Sequence, residues 1–374
     1  MDNRISCDNQ SNRLADLESY KSEKSGFVLV ISHTLTSSIP GITVAGANPE
    51  LVKYTPPADA EFILYGNCKS IDMIPATPDG KPTPSIITKT ALESTNFPMI
   101  VVDSGSEIKP ILPYVTVNSK PGNNISVEAG LNYSDVINNY EMGKLLGVQL
   151  SKNQDTIVIG ESIPGGTTTA LGVLQALGID AFNKVSSSMP ENPVTLKNKV
   201  VKQALARSAL TVEEYKNDPF KAVSNLGDPM MPTVTGITES MLKRGKKVIL
   251  AGGTQMCCIA AILKNLKVSL KTNVCIGTTS YVHNDRTSDI SDLAGQVDED
   301  LPIYFVNLGL ENSKKDGLRA YSQGFVKEGA GAGGMALAAF INNPALSTNE
   351  FLREIENNYQ ETIETPRLLL TGKN

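Results

Sequence analysis

Tryptophan is absent from this 374-residue chain, and histidine occurs only twice, at His33 and His283. Two histidines so far apart in sequence exclude a histidine-rich metal centre and argue against zinc. Cysteine is almost as scarce: Cys7, Cys68, Cys257, Cys258 and Cys275 form no C-x-x-C pair. An odd number without regular spacing argues against a disulfide framework and fits reduced thiols in the cytoplasm. Cys257 and Cys258 lie in an apolar run and read as small buried hydrophobes. No apolar stretch reaches the ~18 residues of a membrane-crossing helix. The first 25 residues are polar and of mixed charge, without the apolar core of a secretory signal, so a cytoplasmic protein is expected. A net charge of -5 leaves no basic footprint for nucleic acid.

What is present is ordinary for a globular chain: 40% apolar and 20% charged residues. The length suffices for one large domain with a small appendage. Short continuous runs rich in Val and Ile predict buried strands at GFVLVIS (26–32), EFILYG (61–66), FPMIVVDSG (97–105), TIVIG (156–160), KKVILAGG (246–253), KTNVCIGTT (271–279) and LPIYFVNLG (301–309). Helical patterns fall between them, at TTTALGVLQALGI, TGITESMLKRG, TQMCCIAAILKNLK and GGMALAAFINN. The alternation predicts an α/β fold, a Rossmann-like parallel sheet with helices on both faces and a small helical part from the chain termini. The expected division is a polar arm or helix over 1–25, the α/β domain over 26–345, and a charged helix with a loose tail over 346–374. Ligands in such sheets bind at the carboxyl ends of the strands.

Three glycine loops stand where such ends are expected. In TIVIGESIPGGTTTALGVL, Gly160 and Gly165 keep the spacing of a Walker A phosphate loop, and Thr167 holds its hydroxyl position. Gly166 occupies the place of the lysine. Gly165 and Gly166 allow close backbone approach, and Thr167 and Thr168 read as caps of the following helix. Such a helix start can hold one phosphate, although an ordinary strand–turn–helix reads the same way. The second loop, VILAGGTQMCCIAAIL, repeats the pattern with Gly252, Gly253 and a Thr254 cap. The third, FVKEGAGAGGMALAAF, spaces Gly329, Gly331 and Gly334 as G-x-G-x-x-G, but no good strand precedes it, which argues against a dinucleotide site. Glu328 stands immediately before its glycines, where a helix N-terminus would favour its anion and suit it to general-base work.

At these loops the chain resembles the nicotinate-nucleotide–dimethylbenzimidazole phosphoribosyltransferase family, and within it the archaeal and cyanobacterial branch. GESIPGGTT (160–168) resembles the family's G-E-x-G-I-G-N-T-T through Glu161, Gly165, Thr167 and Thr168. AGGTQ keeps Gly252 and Gly253 of F-G-G-[FY]-[ED], with Thr254 and Gln255 replacing the aromatic and the acid. EGAGA (328–332) matches E-G-[ST]-G-A except at Ala330. The early A-A-D-H-G-V segment has no clear counterpart; VVDSG, with Asp103, is a candidate replacement.

The resemblance implies phosphoribosyl transfer from nicotinate mononucleotide to an aromatic base, for cobamide lower-ligand assembly. It implies Glu328 as general base and Glu161 as a partner for the ribose or for positive charge at its C1. The loop from Gly160 through Gly165 and Gly166 to Thr168 would hold the phosphate. Gly252, Gly253, Thr254, Gln255, Gly329 and Gly331 would complete the site. It implies a homodimer, and no metal or other cofactor. Gln255 cannot act as an acid or base, and its amide could read the edge of a purine-like base. Two other readings stay open at this point: a magnesium-dependent diphosphate-sugar phosphoribosyltransferase, and a nucleotide-binding protein that kept the fold without the reaction.

Overall fold

The computed structural model describes residues 4–8, 14–46, 48–74, 76–77 and 81–366. Among these residues eight strands occur: β1 (Ile5–Cys7), β2 (Ser25–Ile31), β3 (Met99–Asp103), β4 (Val115–Thr116), β5 (Thr156–Ser162), β6 (Lys247–Ala251), β7 (Val274–Thr279) and β8 (Ile303–Val306). They form one sheet in the order β1-β8-β7-β6-β5-β2-β3-β4. All neighbours are parallel except β1 and β8. The chain steps outward from β2 to β3 and β4, then returns to the other side of β2 and builds β5 to β8. This reversal leaves a crevice beyond the carboxyl ends of β2 and β5, where sheets of this kind bind ligands.

Eleven described helices have eight residues or more: α1 (Thr55–Tyr65), α2 (Ser85–Thr95), α3 (Tyr133–Leu150), α4 (Gly166–Ala176), α5 (Val194–Ser208), α6 (Pro219–Leu226), α7 (Met230–Leu242), α8 (Thr254–Asn265), α9 (Ile290–Val297), α10 (Ala332–Asn342) and α11 (Thr348–Tyr359). Side chains alternate across the strands, so each face of the sheet builds its own core. Val28, Val30, Ile157 and Ile159 join the cluster made with α3 to α9. Phe27, Leu29, Ile31 and Val158 join the opposite cluster, made with α1, α2, α10 and α11. The second layer therefore comes from the early and late parts of the chain.

Two local expectations change, and a third is not reached by the described residues. EFILYG is not a strand but the end of α1, which opens on Pro56 and Pro57 and is buried over most of its length. Prolines are well placed in a first helical turn, and burial on nearly every side removes the amphipathic signal that marks a helix. Near the N-terminus, residues 5–7 pair with β8 as an edge strand, and Leu14–Leu17 form one short helical turn. The chain beyond 366, read as a loose tail, lies outside the described residues.

One contact between backbones controls the middle of the fold. A Cβ added to Gly160 in β5 would stand 2.7 Å from Gly331 Cα, and one added to Gly331 would stand 3.0 Å from the Phe27 ring. Gly331 also sits in the left-handed region, at φ +80°. Gly160→Ala is therefore expected to destabilise the protein by about 1–3 kcal/mol, the usual cost of overpacking. Urea midpoints report this directly, with an unchanged slope. A midpoint equal to that of the parent would show that the loop shifts freely.

Candidate active site

The first glycine loop leaves β5 and enters α4. Gly165 adopts φ +80°, and an added Cβ would meet the Ser37 backbone at 3.1 Å. Gly165, not a threonine, is the helix N-cap, and no side chain caps the helix. Thr167 and Thr168 lie inside the first turn, and the loop ties up some of its own N–H groups. Gly166 N donates to Ile163 O at 3.2 Å, and Thr168 N donates to Gly165 O at 2.9 Å. The missing positive charge arrives from elsewhere. Lys197, fully buried on α5, donates to Thr167 Oγ1 at 3.0 Å and to Ser186 O at 2.6 Å. Burial lowers its pKa to about 7, a second cation at Lys327 pushes in the same direction, and Asp285 opposes both. An anion in the loop would favour its charged form.

The second loop, between β6 and α8, starts its helix at Thr254 with Gly253 as N-cap. Thr254 does not cap. Its hydroxyl accepts from Ser186 N at 3.0 Å and so draws the Ser186–Ser188 segment to the cavity. Gln255 turns its amide nitrogen to Glu161 Oε1, at 3.2 Å. The amide read as a probe of the incoming base is thus engaged with the neighbouring carboxyl.

The third loop is fastened to β5 and β7. Ala330 N donates to Glu161 O at 2.9 Å, and Thr88 Oγ1 donates to Ala330 O at 2.9 Å. Thr279 Oγ1 donates to Lys327 O at 2.7 Å. Glu328 then receives Gly333 N at 3.0 Å, and Gly329 N, Thr279 N and Thr278 Oγ1 each at 3.2 Å. Gly333 lies in the first turn of α10, so the carboxylate sits at a helix N-terminus. Burial nevertheless dominates these four donors and raises its pKa to about 7.

Glu161 is 6% exposed. Its pKa is raised to about 8, first by burial, then by the charges of Asp228, Glu328 and Asp59, while the Ile163 N–H at 2.9 Å opposes the shift. Asp228 and Asp59 carry no local motif and were not among the residues expected at the site. Asp228 receives Thr169 Oγ1 at 2.6 Å and the N–H groups of Met230 and Met231, and burial raises its pKa to about 6. Asp59 receives the hydroxyls of Thr83, Ser85 and Ser162, while burial pushes its pKa up. Lys197 was equally illegible, because it reaches Thr167 from a separate helix.

The three loops surround one cavity over the carboxyl end of the sheet, with about 980 Å³ of space including its opening to solvent, and Asp228 and Lys197 stand outside its lining. Glu161, Glu328, Gly165, Gly166, Thr167, Gly253, Gln255 and Gly329 all line it. Gly160, Thr168, Gly252, Thr254, Gly331 and Asp103 do not. Gly160 and Gly331 pack the two loops together, and Thr254 positions the serine segment. Asp103 pairs with Lys109 at 2.6 Å and caps its own loop through Ser106 N at 2.8 Å.

The profile of the phosphoribosyltransferase family matches residues 88–285. A UPF0284 protein of Archaeoglobus fulgidus is 48% identical over 340 residues, covering 91% of this chain and 94% of its own. One from Sulfolobus acidocaldarius is 44% identical, over 90% and 95% of the two chains. Among solved structures, CobT from Thermus thermophilus superposes with a TM-score of 0.59 at 14% identity, over 94% of this chain and 92% of the other. A nicotinate-nucleotide–dimethylbenzimidazole phosphoribosyltransferase structure from the same organism gives a TM-score of 0.58 at 14% identity, with the same coverage of 94% and 92%. The chain belongs to the phosphoribosyltransferase family and has the same α/β fold as these enzymes. No described helix is long and apolar enough to cross a membrane.

Raised carboxyl pKa values bind folding to pH. Glu161 and Glu328 hold protons more tightly in the native state than in the unfolded chain. Their stabilising contribution is complete below the ordinary carboxyl range and is lost as pH rises through about 7 and 8. Between about pH 5 and pH 7 they should therefore lower the protein's stability as pH rises, and Glu161→Gln should flatten that decline. Lys197, with its lowered pKa, acts in the opposite sense only above about pH 7. Urea midpoints across the lower window test the point; an equally steep decline in the variant would remove Glu161 as its source.

Proposed function

We propose that the protein transfers phosphoribose from nicotinate mononucleotide to a benzimidazole-like or purine base, giving an α-ribazole-phosphate-type nucleotide for cobamide assembly. The observation that carries this reading is the pairing of Glu328 and Glu161, both with raised pKa values, beside a one-phosphate loop. The names of the structural neighbours supply the substrates; the local chemistry supports them. Lys197, Thr167 and the Ser186–Ser188 segment suit a single phosphate monoester. The carboxyl-rich wall of Asp59, Glu161 and Glu328 suits a cationic pyridinium ring and positive charge at the ribose C1.

In this mechanism Glu328 accepts the ring N–H proton of the incoming base. The base's other ring nitrogen forms a bond to C1 as the bond from C1 to the pyridinium nitrogen breaks. The bonding electron pair stays on nicotinate, which leaves as a neutral pyridine ring with its carboxylate. Glu161, held by Gln255 and the Ile163 N–H, faces the ribose as charge develops. A general base is most useful with a pKa near the working pH, which is where burial puts Glu328. The family reading adds a homodimer, and the sequence composition and pattern add a cytoplasmic location and one α/β domain with terminal appendages, to the same proposal.

Nicotinate release from nicotinate mononucleotide, with and without added base, tests the reaction. Glu328→Gln should reduce base-dependent release about 10²–10⁴-fold, the usual contribution of a positioned general base. The parent kcat/KM should rise with pH to a plateau above about 7, and the variant should lack that limb. A requirement for Mg²⁺, abolished by chelator, would instead favour a diphosphate-sugar donor. Nucleotide binding without release would favour a binding protein.

A further inference from the structure

The cavity has two chemically different halves. The glycine loop, Ser186–Ser188 and Gln255 form one, with Lys197 behind them. Asp59, Thr83, Ser162, Pro84 and Glu328 form the other; Lys327, paired with Asp285 at 2.9 Å, and Lys81 also line the cavity. If the phosphate sits on the first half, as the proposed transfer requires, the acceptor base occupies the second. There Glu328 takes its ring proton, and the remaining ring edge must face other groups.

Those groups are unusual in their hydrogen-bonding capacity. Asp59 is 4% exposed and lines the cavity. Its carboxyl receives Thr83 Oγ1 at 2.7 Å and Ser85 Oγ at 2.8 Å on one oxygen, and Ser162 Oγ at 2.7 Å on the other. Each of these hydroxyls has a single proton to give, and all three are directed at Asp59. A carboxylate offers about four acceptor positions, so one remains. Thr83 and Ser162, which also line the cavity, keep acceptor lone pairs and no free donor. The patch is therefore rich in acceptors and poor in donors. It is also rigid, because Tyr321 Oη donates to Thr83 O at 2.8 Å from a buried position. Pro84, beside Gly329, supplies an apolar wall for a flat ring, and Ile42, Val44 and Val326 add apolar lining to the cavity as a whole.

We infer that the Asp59–Thr83–Ser162 patch selects an acceptor base that carries a hydrogen-bond donor, an amino or hydroxyl group, on the ring edge away from its attacking nitrogen. This rests on the proposed transfer reaction and names its substrate class. A methylated edge would cover a buried carboxyl and two hydroxyls without replacing their hydrogen bonds with water, which is costly. Sites built to hydrogen-bond a substrate group discriminate strongly against analogues that lack it.

The test measures kcat/KM of the parent protein with nicotinate mononucleotide and four acceptors: adenine, 5-hydroxybenzimidazole, benzimidazole and 5,6-dimethylbenzimidazole. The amino and hydroxy acceptors are expected to exceed the dimethyl base by at least about tenfold. In Asp59→Asn that ratio should fall towards one. An equal or reversed preference in the parent overturns the inference and needs no variant, so a poorly folding Asp59→Asn does not shelter it. An unchanged ratio in a folded Asp59→Asn overturns it as well. If no base is turned over, the transfer reading fails by itself. Calorimetric binding of the same four bases then judges the patch separately: tighter binding of the donor-bearing bases upholds it, and tightest binding of the dimethyl base rejects it.

Discussion

Two glycines in contact hold this site together. Gly160 lies within β5 and Gly331 caps α10, and the backbones meet at a distance no Cβ could share. The hydrogen bond from Ala330 N to Glu161 O runs beside the contact. Together they fix the loop that carries Glu328 against the strand that carries Glu161. Neither glutamate could be placed by its own element alone, since one ends a buried strand and the other precedes a helix from the opposite face of the sheet. The cavity is a consequence of that junction, because it opens where the two faces meet at the reversal of strand order.

The same junction creates an electrostatic problem. Asp59, Glu161, Asp228 and Glu328 converge in a buried region, and burial raises the pKa of every one of them. Full ionisation would be costly without compensation. The protein answers with fixed dipoles more than with direct ion pairs. Glu328 takes three backbone N–H groups and a hydroxyl, Asp228 takes two N–H groups at the start of α7, and Asp59 takes three hydroxyls. Glu161 has the fewest donors, Ile163 N and Gln255, and it also faces the charges of three other carboxyls. Burial first, and then that imbalance, raises its pKa. A cationic ring entering the cavity would relieve it, so ligand charge and carboxyl ionisation are coupled here.

The parallel sheet and five of the eleven longer described helices were legible because both leave periodic traces. Val–Ile runs marked six of the strands, and glycine punctuated their ends. EFILYG misled because a helix buried on nearly all sides has the same continuous apolar run as a buried strand. The loops' glycines pointed to the cavity, yet several of them serve packing and do not line it. Spacing records only that a side chain is absent, not whether ligand or backbone fills the space. Asp59, Asp228 and Lys197 were not legible for a different reason. Each lies on a separate helix or helix junction with no local pattern, and tertiary folding alone brings it to the loop.

The absent loop lysine follows from these contacts. A Cβ at Gly166 would stand 2.9 Å from Gln255 Nε2 and 2.9 Å from Ile163 Cγ2. Any side chain there would push Gln255 away from Glu161 and remove one of that carboxyl's two donors. A lysine at 166 would also bring its stem into the space between phosphate loop and carboxyl wall. The cation therefore enters from behind, through Lys197, whose stem is buried in α5 and whose ammonium meets Thr167 without occupying the cavity. Lys197 thus puts positive charge behind the loop that would face a phosphate, while Lys327, which lines the cavity next to Glu328, is paired with Asp285 at 2.9 Å. A lysine at 166 would add a charge close to Glu161 and work against the rise in pKa that burial first produces there.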